Sequence, residues 1–550
     1  MSMSSQLRLN TRFIQNLSST HRLLALVWHS APRWLTAMVV ITIFTSLAPI
    51  ALLYTNKLLI DWITTNAGRM EGSGYAMWMP LLGLVFLRLV LSVVRLGLGE
   101  ARPFVSQILS DRLSLTATQK LLRQAMRLDL NHFESPAFYD ALSRATQSGS
   151  SYPVRSLDYT TSLAGQLISL SGLVVLLLQF NPIILGLLML ATLPLLKSGV
   201  SFSKKKFMLN RKNTLEGRLV AYFQGLLTQQ RYAKEIRLFN LGDQILARWQ
   251  ETYGQYKKEV EQMARKQALG RFGVGILPNL CFYAAYAWIV TRAVKGEITL
   301  GDFVMYSGAF GQSQSLLTGC MHNLSKTYDG NLHTSQFFEF LEIQPRILSP
   351  AVPSVFPAVI QQGIALKKVG FAYEGSQKTV FEDISFEVYP GESIAVVGIN
   401  GAGKTTLVKL LTRLYEPTAG EITIDGVSLS AFDLKELRQN IAVLFQDFAQ
   451  YKLSIRENIG FGDVTAWDDT ARTKEAASKA GIAEFIENLE QGYETKLGNL
   501  FPQARELSGG QWQKIGLSRA FMSEAQILIL DEPASAMDAI AEFDLYQRFR

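Results

Sequence analysis

Uncharged apolar runs dominate the front of the chain. Residues 34–56 hold no charged side chain, and neither do 159–196, 272–291 or 303–325. A further run over 75–87 continues past Arg88 toward Leu98. About 20 largely apolar residues cross a bilayer as a helix, so each run predicts a membrane span. The run 159–196 is long enough for two, with Asn181-Pro182 as the turn between them, which makes six spans in all. A soluble helical bundle is the poorer reading, because its helices carry charge on their outer faces. Beyond residue 325 the pattern changes. Pro345, Pro350, Pro353 and Pro357 mark a stiff linker, followed by short β-branched runs set between charged, helical stretches. The fold class that follows is multi-domain. An all-α six-span transmembrane domain over 1–345 leads through a linker over 346–359 to an α/β domain over 360–550.

Charge sets the orientation. The net charge is +8, and the excess sits in alternate connectors. The stretch before residue 34 carries Arg8, Arg12, Arg22 and Arg33 and no acid. Arg112, Lys120, Arg123, Arg127, Arg144 and Arg155 lie between the second and third spans, and Lys204, Lys205, Lys206, Arg211 and Lys212 between the fourth and fifth. The remaining connectors balance Lys57 and Arg69 against Asp61 and Glu71, and Arg292 and Lys295 against Glu297 and Asp302. Basic loops stay inside, so both ends are predicted to be cytoplasmic in a multi-pass plasma-membrane protein. Because the basic residues follow topology, without forming one patch interleaved with aromatics, no nucleic-acid partner is expected. Cys281 and Cys320 fall in predicted spans, which implies no disulfide framework. The first apolar run begins too late and is too long for a cleaved signal peptide. Arg88, Arg95 and Arg102 recur at seven-residue intervals on one helical face, where a charge faces either a cavity or a partner. Gln312, Ser313, Gln314 and Ser315 form a second polar patch, suited to lining a path or bonding between helices.

The chemistry lies in the rear domain. Gly398-Ile399-Asn400-Gly401-Ala402-Gly403-Lys404-Thr405-Thr406 stands between an apolar run at 393–397, predicted to be a strand, and a helical stretch at 406–414. Gly398, Gly401 and Gly403 free the backbone to aim N–H groups inward, and Lys404 adds charge where β- and γ-phosphates would lie. The Thr405 hydroxyl would sit on Mg²⁺. Downstream, Ile527-Leu528-Ile529-Leu530 reads as a buried strand ending in Asp531 and Glu532. An aspartate there can hold Mg²⁺, and the glutamate beside it can polarise an attacking water. Between the two, Ser508, Gly509, Gly510 and Gln511 precede a helical stretch at 512–522. That helix N-terminus is a second anion site, and the economical reading is that it closes on the γ-phosphate held by another copy.

Taken together, these motifs resemble the nucleotide-binding domain of the ATP-binding-cassette (ABC) family over about 360–550, and the whole chain resembles an exporter-type half-transporter. The resemblance implies ATP and Mg²⁺ as cofactors. It also implies that Tyr373 stacks on adenine, that Gln446 contacts Mg²⁺ and the attacking water, and that Ser535-Ala536-Met537-Asp538 couples two ATP sites across a dimer. The family's first coupling helix is matched by Phe133-Glu134-Ser135-Pro136-Ala137-Phe138-Tyr139-Asp140 and its second by Lys234-Glu235-Ile236-Arg237-Leu238-Phe239. All five histidines precede the cassette, and the family's switch histidine is expected shortly beyond Arg550, so the chain reads as truncated ahead of it. The segment 498–506, with Trp512 directly after Ser508-Gly509-Gly510-Gln511, is similar to that of exporters of lanthipeptides.

The function expected is ATP-driven export of a peptide, lipid or amphipathic drug by an alternating-access dimer, most simply of two identical chains in contact with membrane lipids. An ATP-gated regulatory or channel subunit is the alternative from another class, and one half of a heterodimer is a third. The intact Lys404, Asp531 and Glu532 favour a working ATPase.

Overall fold

The computed structural model describes residues 21–66, 78–180, 182–212, 214–376, 378–535, 542–543 and 547. Arg8, Arg12, Arg69, Glu71, Asn181, the coupling positions 536–538 and most of 539–550 lie outside the described residues. The chain divides into two units, 1–126 with 136–343, and 127–135 with 344–550.

The first unit is helical. It contains α1 (Pro32–Asn66) and α2 (Met79–Arg127), after which α3 (Leu130–Glu134) leaves for the second unit. The chain returns with α4 (Pro136–Phe180), α5 (Pro182–Lys212), α6 (Thr214–Thr228), α7 (Gln230–Leu238), α8 (Gly242–Val294) and α9 (Leu300–Leu341). Four of the described helices carry a stretch long and apolar enough to cross a membrane: α1, α2, the Pro153–Leu178 part of α4, and α8. The runs expected as the fourth and sixth spans lie on α5 and α9. Leu82, Val85, Phe86, Leu89 and Val93 of α2 are all exposed, a surface suited to hydrocarbon.

Small residues let these helices approach. A Cβ on Gly165 would come within 2.8 Å of Thr42, and one on Gly330 within 2.9 Å of Ser156. Where backbones are this close, Ser, Asn and Gln side chains bond between helices. Ser169 donates to the Ser46 carbonyl at 2.7 Å, Ser156 to Asn331 at 3.0 Å and Asn323 to Gln166 at 3.0 Å. Around them pack Leu53, Leu170, Leu173, Leu177, Ala309 and Phe310. The arginine face of α2 is partly absorbed in the same way. Arg88 donates to Asn56, and Arg102 to Ser162 at 2.7 Å.

The second unit holds β1 (Ile364–Ala372), β2 (Thr379–Val388), α10 (Lys404–Leu411), β3 (Ala419–Ile424), β4 (Val427–Ser428), α11 (Leu434–Gln439) and β5 (Ile441–Leu444). Then follow α12 (Ile455–Gly460), α13 (Thr470–Lys479), α14 (Ala483–Glu487), α15 (Gly509–Met522) and β6 (Ile527–Leu530). An antiparallel sheet runs in the order β2-β1-β3-β4, and β5 pairs in parallel with β6. The register Leu444↔Leu530 brings the carboxyl ends of β5 and β6 level. One core gathers Leu366, Val369, Phe371, Leu410, Ile422 and Phe432, and a second gathers Ile455, Ile459, Ala477, Ile486, Trp512 and Ile515. The proline linker is tied down by Phe356, which is buried against Phe432 at 5.2 Å between ring centroids.

One expected element is absent. The run 393–397 forms no strand; Ile394, Val396 and Val397 are exposed. Its β-branched composition supplies local preference, but a strand exists only where a neighbour completes its ladder, and among the described residues no strand pairs with it.

The close approach at Gly330 is testable. Gly330→Leu forces a side chain against the Ser156 backbone and is expected to destabilise the membrane unit by about 1–3 kcal/mol. A thermal-unfolding midpoint in detergent equal to that of the parent chain would contradict the packing described.

Candidate functional site

The glycine loop opens α10. Gly401 (φ 81°) and Gly403 (φ 96°) occupy the left-handed region, and Gly403 is the N-cap of the helix. Gly398 does not need positive φ. Its requirement is space, since a Cβ there would meet that of Ala402 at 3.2 Å. The expected helix at 406–414 begins at Lys404 and ends at Leu411, so Lys404 and Thr405 stand in its first turn, where unpaired N–H groups and the helix dipole favour an anion. Lys404 donates to the loop's own Gly398 carbonyl at 2.9 Å, which folds its charge over the loop. Ile399, Asn400, Gly401 and Ala402 are exposed. Thr406 turns the other way, buried, and its hydroxyl meets that of Tyr373 at 2.9 Å. The Tyr373 ring packs edge-on against Phe371 and Tyr415.

A second cluster forms where β5 and β6 end. Gln446 follows β5, Asp531 and Glu532 follow β6, and the parallel register sets them side by side. The Gln446 amide donates to the Glu532 carboxylate at 2.5 Å. Glu532 adopts φ 50°, a strained conformation for a residue with a side chain, and such strain collects at functional sites. Gln513, from the buried face of α15, donates to the Glu532 carbonyl at 3.1 Å and to Ser535 at 3.4 Å. No sequence motif pointed to Gln513. Asp531 is 5% exposed, and its Oδ2 has no hydrogen-bond partner among the described residues. A buried carboxylate oxygen left over in this way fits a divalent cation.

At the N-terminus of α15, Ser508 and Gln511 bond each other reciprocally. The Ser508 hydroxyl accepts from the Gln511 N–H at 3.3 Å, and the Gln511 side chain accepts from the Ser508 N–H at 2.9 Å. The helix begins at Gly509, earlier than the stretch at 512–522 read from the sequence. Ser508 and Gly509 are exposed, with Gly510 partly so. No hydrogen bond among the described residues joins 508–511 to the glycine loop, nor the loop to Gln446, Asp531 or Glu532. The segment 498–506 is pinned at its ends, with the Gly498 N–H on the Arg505 carbonyl at 2.9 Å.

The sequence also misplaced the docking segment. It begins at Arg127 rather than at Phe133, and from Pro136 onward the chain is already α4 of the first unit. In the second unit, Leu130 packs on the core and Asn131 donates to Glu374 at 3.1 Å. Asp129 accepts from the Arg346 N–H at 2.6 Å. Glu134 bonds Lys409 of α10 at 2.6 Å and the Tyr415 hydroxyl at 2.5 Å. Burial works to raise the Glu134 pKa, but the bonds from Lys409 and Tyr415 and the lysine charge outweigh it and hold the carboxyl below its ordinary value. Burial and Glu134 push the Tyr415 hydroxyl up. The second expected coupling segment falls on α7 of the first unit, with Leu238 and Phe239 exposed.

Residues 381–535 match the family described as ABC transporter. The chain is 29% identical to the subtilin transport ATP-binding protein of Bacillus subtilis over 92% of its own length and 81% of that protein. It is 27% identical to the nisin transport ATP-binding protein of Lactococcus lactis subsp. lactis, over 98% and 88%. It is 26% identical to the ATP-dependent lipid A-core flippase of Vibrio parahaemolyticus, over 86% and 80%. In fold it is similar to a bacterial Atm1-family ABC exporter solved with ATP bound, at a TM-score of 0.81 and 23% identity, covering 94% of this chain and 88% of that one.

The Glu134 bonds carry a pH dependence. Because the folded-state pKa is depressed, the contribution is full above the unfolded carboxyl's pKa and is lost as pH falls through the folded value. Hydrogen exchange over 129–135, corrected for intrinsic rates, should show protection at neutral pH that fades on acidification. Glu134→Gln should lose that protection already at neutral pH; equal protection in both chains would contradict the anchoring role.

Proposed function

Since residues 381–535 match the ABC transporter family and the fold is similar to that of an ABC exporter, we propose that the chain uses ATP to move an amphipathic peptide or lipid out of the cytoplasm as a dimer of two copies in the plasma membrane. It is an ATP hydrolase coupled to transport. The cargo classes follow the relatives' names, which speak of subtilin, nisin and lipid A core. The basic connectors put both cassettes on the cytoplasmic side.

One observation carries the proposal. The segment that joins two long apolar helices is built into the cassette through Glu134 on Lys409, and Lys409 belongs to the helix that the glycine loop opens. Movement of that helix is thereby tied to the membrane helices on either side of the segment.

Each residue then has a task. The N–H groups of 401–406 and the Lys404 ammonium hold the β- and γ-phosphates, a role for which Lys404 releases the Gly398 carbonyl. Tyr373 offers a ring face to adenine. Thr405, Gln446 and Asp531 are the oxygen donors that would hold Mg²⁺. When bound, the metal neutralises phosphate charge. Glu532, positioned by Gln446 and by the Gln513 bond to its carbonyl, takes a proton from the attacking water. The start of α15, at Ser508, Gly509, Gly510 and Gln511, closes on the γ-phosphate held by the loop of the second copy. The exposure of the loop and of Ser508 and Gly509 in a single chain supports that pairing, as does the lack of any hydrogen bond between them among the described residues.

Glu532→Gln should lower ATP hydrolysis by about 10²-fold or more while ATP binding persists, measured on the purified transporter, and should abolish ATP-driven uptake into inverted vesicles. Normal turnover in this variant would remove Glu532 as the base. Retention of turnover without vectorial uptake by the parent chain would support a gated channel.

A further inference from the structure

The membrane unit contains a recess of about 290 Å³ between α5, α8 and α9. Arg271, Asn279, Gln314, Thr318, His322 and Ser325 provide its polar lining, and no aspartate or glutamate is among the residues around it. The polar groups of its upper wall are satisfied locally. Gln314 donates to Asn279 at 3.0 Å, Asn279 to the Gly275 carbonyl at 3.0 Å, and Thr318 to the Gln314 carbonyl at 2.9 Å. The Ser325 hydroxyl lies 3.3 Å from that of Ser203. Arg271 is different, for it has no carboxylate partner among the described residues. Lys326 and Arg271 both lie within electrostatic reach of His322, so the recess carries a positive field that no carboxylate among its lining residues balances. Arg88, by contrast, is occupied by Asn56 and does not line the recess.

Depth identifies the counter-ion. Arg271 immediately precedes the uncharged run 272–291 and ends the basic connector between the fourth and fifth spans. On the exporter reading above, on which this inference rests, that is the cytoplasmic boundary of the bilayer. An uncompensated guanidinium beside hydrocarbon is costly, and phosphate oxygens accept two of its N–H groups at once. Basic pockets between membrane helices on the cytoplasmic side bind lipid head groups. A peptide carboxylate would first have to leave water, whereas lipid phosphates already lie at this level. We propose that the recess binds the phosphate of an anionic phospholipid drawn from the cytoplasmic leaflet, with Arg271 supplying the charge. The polar wall, deeper along the same helices, accepts the glycerol ester oxygens, and the open side leaves the acyl chains in the bilayer.

The test uses the whole chain in phosphatidylcholine nanodiscs doped with phosphatidylglycerol, without nucleotide, with retained phosphatidylglycerol counted by native mass spectrometry. The parent chain and Arg271→Lys should retain it, while Arg271→Gln should retain about fivefold less. Thr318→Met, which fills the recess and leaves the charge in place, should lose retention similarly, so the outcome does not hang on how well one variant folds. Equal retention by Arg271→Gln and the parent chain overturns the proposal. So does displacement of no phosphatidylglycerol when an acidic amphipathic peptide binds in an Arg271-dependent way, which would make the recess a peptide site. ATP hydrolysis in pure phosphatidylcholine discs is a separate arm. Its absence in a chain extended to include the switch histidine would strike the export reading and leave the retention result standing.

Discussion

A single carboxylate, that of Glu134, holds together parts of the chain that sequence keeps far apart. It accepts from Lys409 and from Tyr415, which lie 275 and 281 positions downstream. The helix that presents it, α3, has five residues and none buried, too short to persist on local bonding alone. Its position is therefore set by what its side chains find on the cassette: a core for Leu130, a lysine ammonium and a tyrosine hydroxyl for Glu134 and backbone N–H groups for Asp129. Tyr415 touches Tyr373 edge-on, and Tyr373 bonds Thr406 at the base of the glycine loop. The route from α3 to the loop thus consists of direct contacts, each within one or two side chains of the next.

The hydrolytic end of the cassette depends on a different economy. Asp531 and Glu532 are adjacent in sequence but differ in environment, one buried with an oxygen unpaired and the other exposed with its backbone in the left-handed region. Two carboxylates so arranged can divide labour, the dry one for a cation and the wet one for a water. Gln513 links the strained residue to α15, so the helix that begins beside Ser508 also braces the Glu532 carbonyl.

Four of the expected spans fall on described helices long and apolar enough to cross a membrane, because hydrocarbon tolerates only helices whose side chains are almost all apolar, and that constraint writes itself along a line of sequence. The strand that ends at Asp531 and Glu532 was legible for a similar reason, since it depends on neighbours a few residues away, whereas the helix after Ser508 starts three residues earlier than read because its cap was not recognised. What was not legible depends on distant partners. The docking segment lies earlier than expected because its location is decided by Lys409, Tyr415 and Arg346, and nothing local marks Asp129 or Leu130. Residues 393–397 have the composition of a strand and remain unpaired, because composition cannot say whether a neighbouring edge is within reach. Arg88, Arg95 and Arg102 share a face by spacing, yet two of them bond to Asn56 and Ser162. The arginine beside a recess is Arg271, which spacing alone did not single out.

The reciprocal cap at the start of α15 has a mechanical side. The Ser508 hydroxyl already serves the Gln511 N–H, and a cap of this kind stabilises its helix by about 1 kcal/mol. If that oxygen turns to donate to an approaching anion while it remains an acceptor, its geometry must satisfy both; if it cannot, the helix loses its cap for as long as the anion stays. The contact that would close two copies together is thus opposed by a small restoring force built into one turn of helix, which favours a grip that lets go.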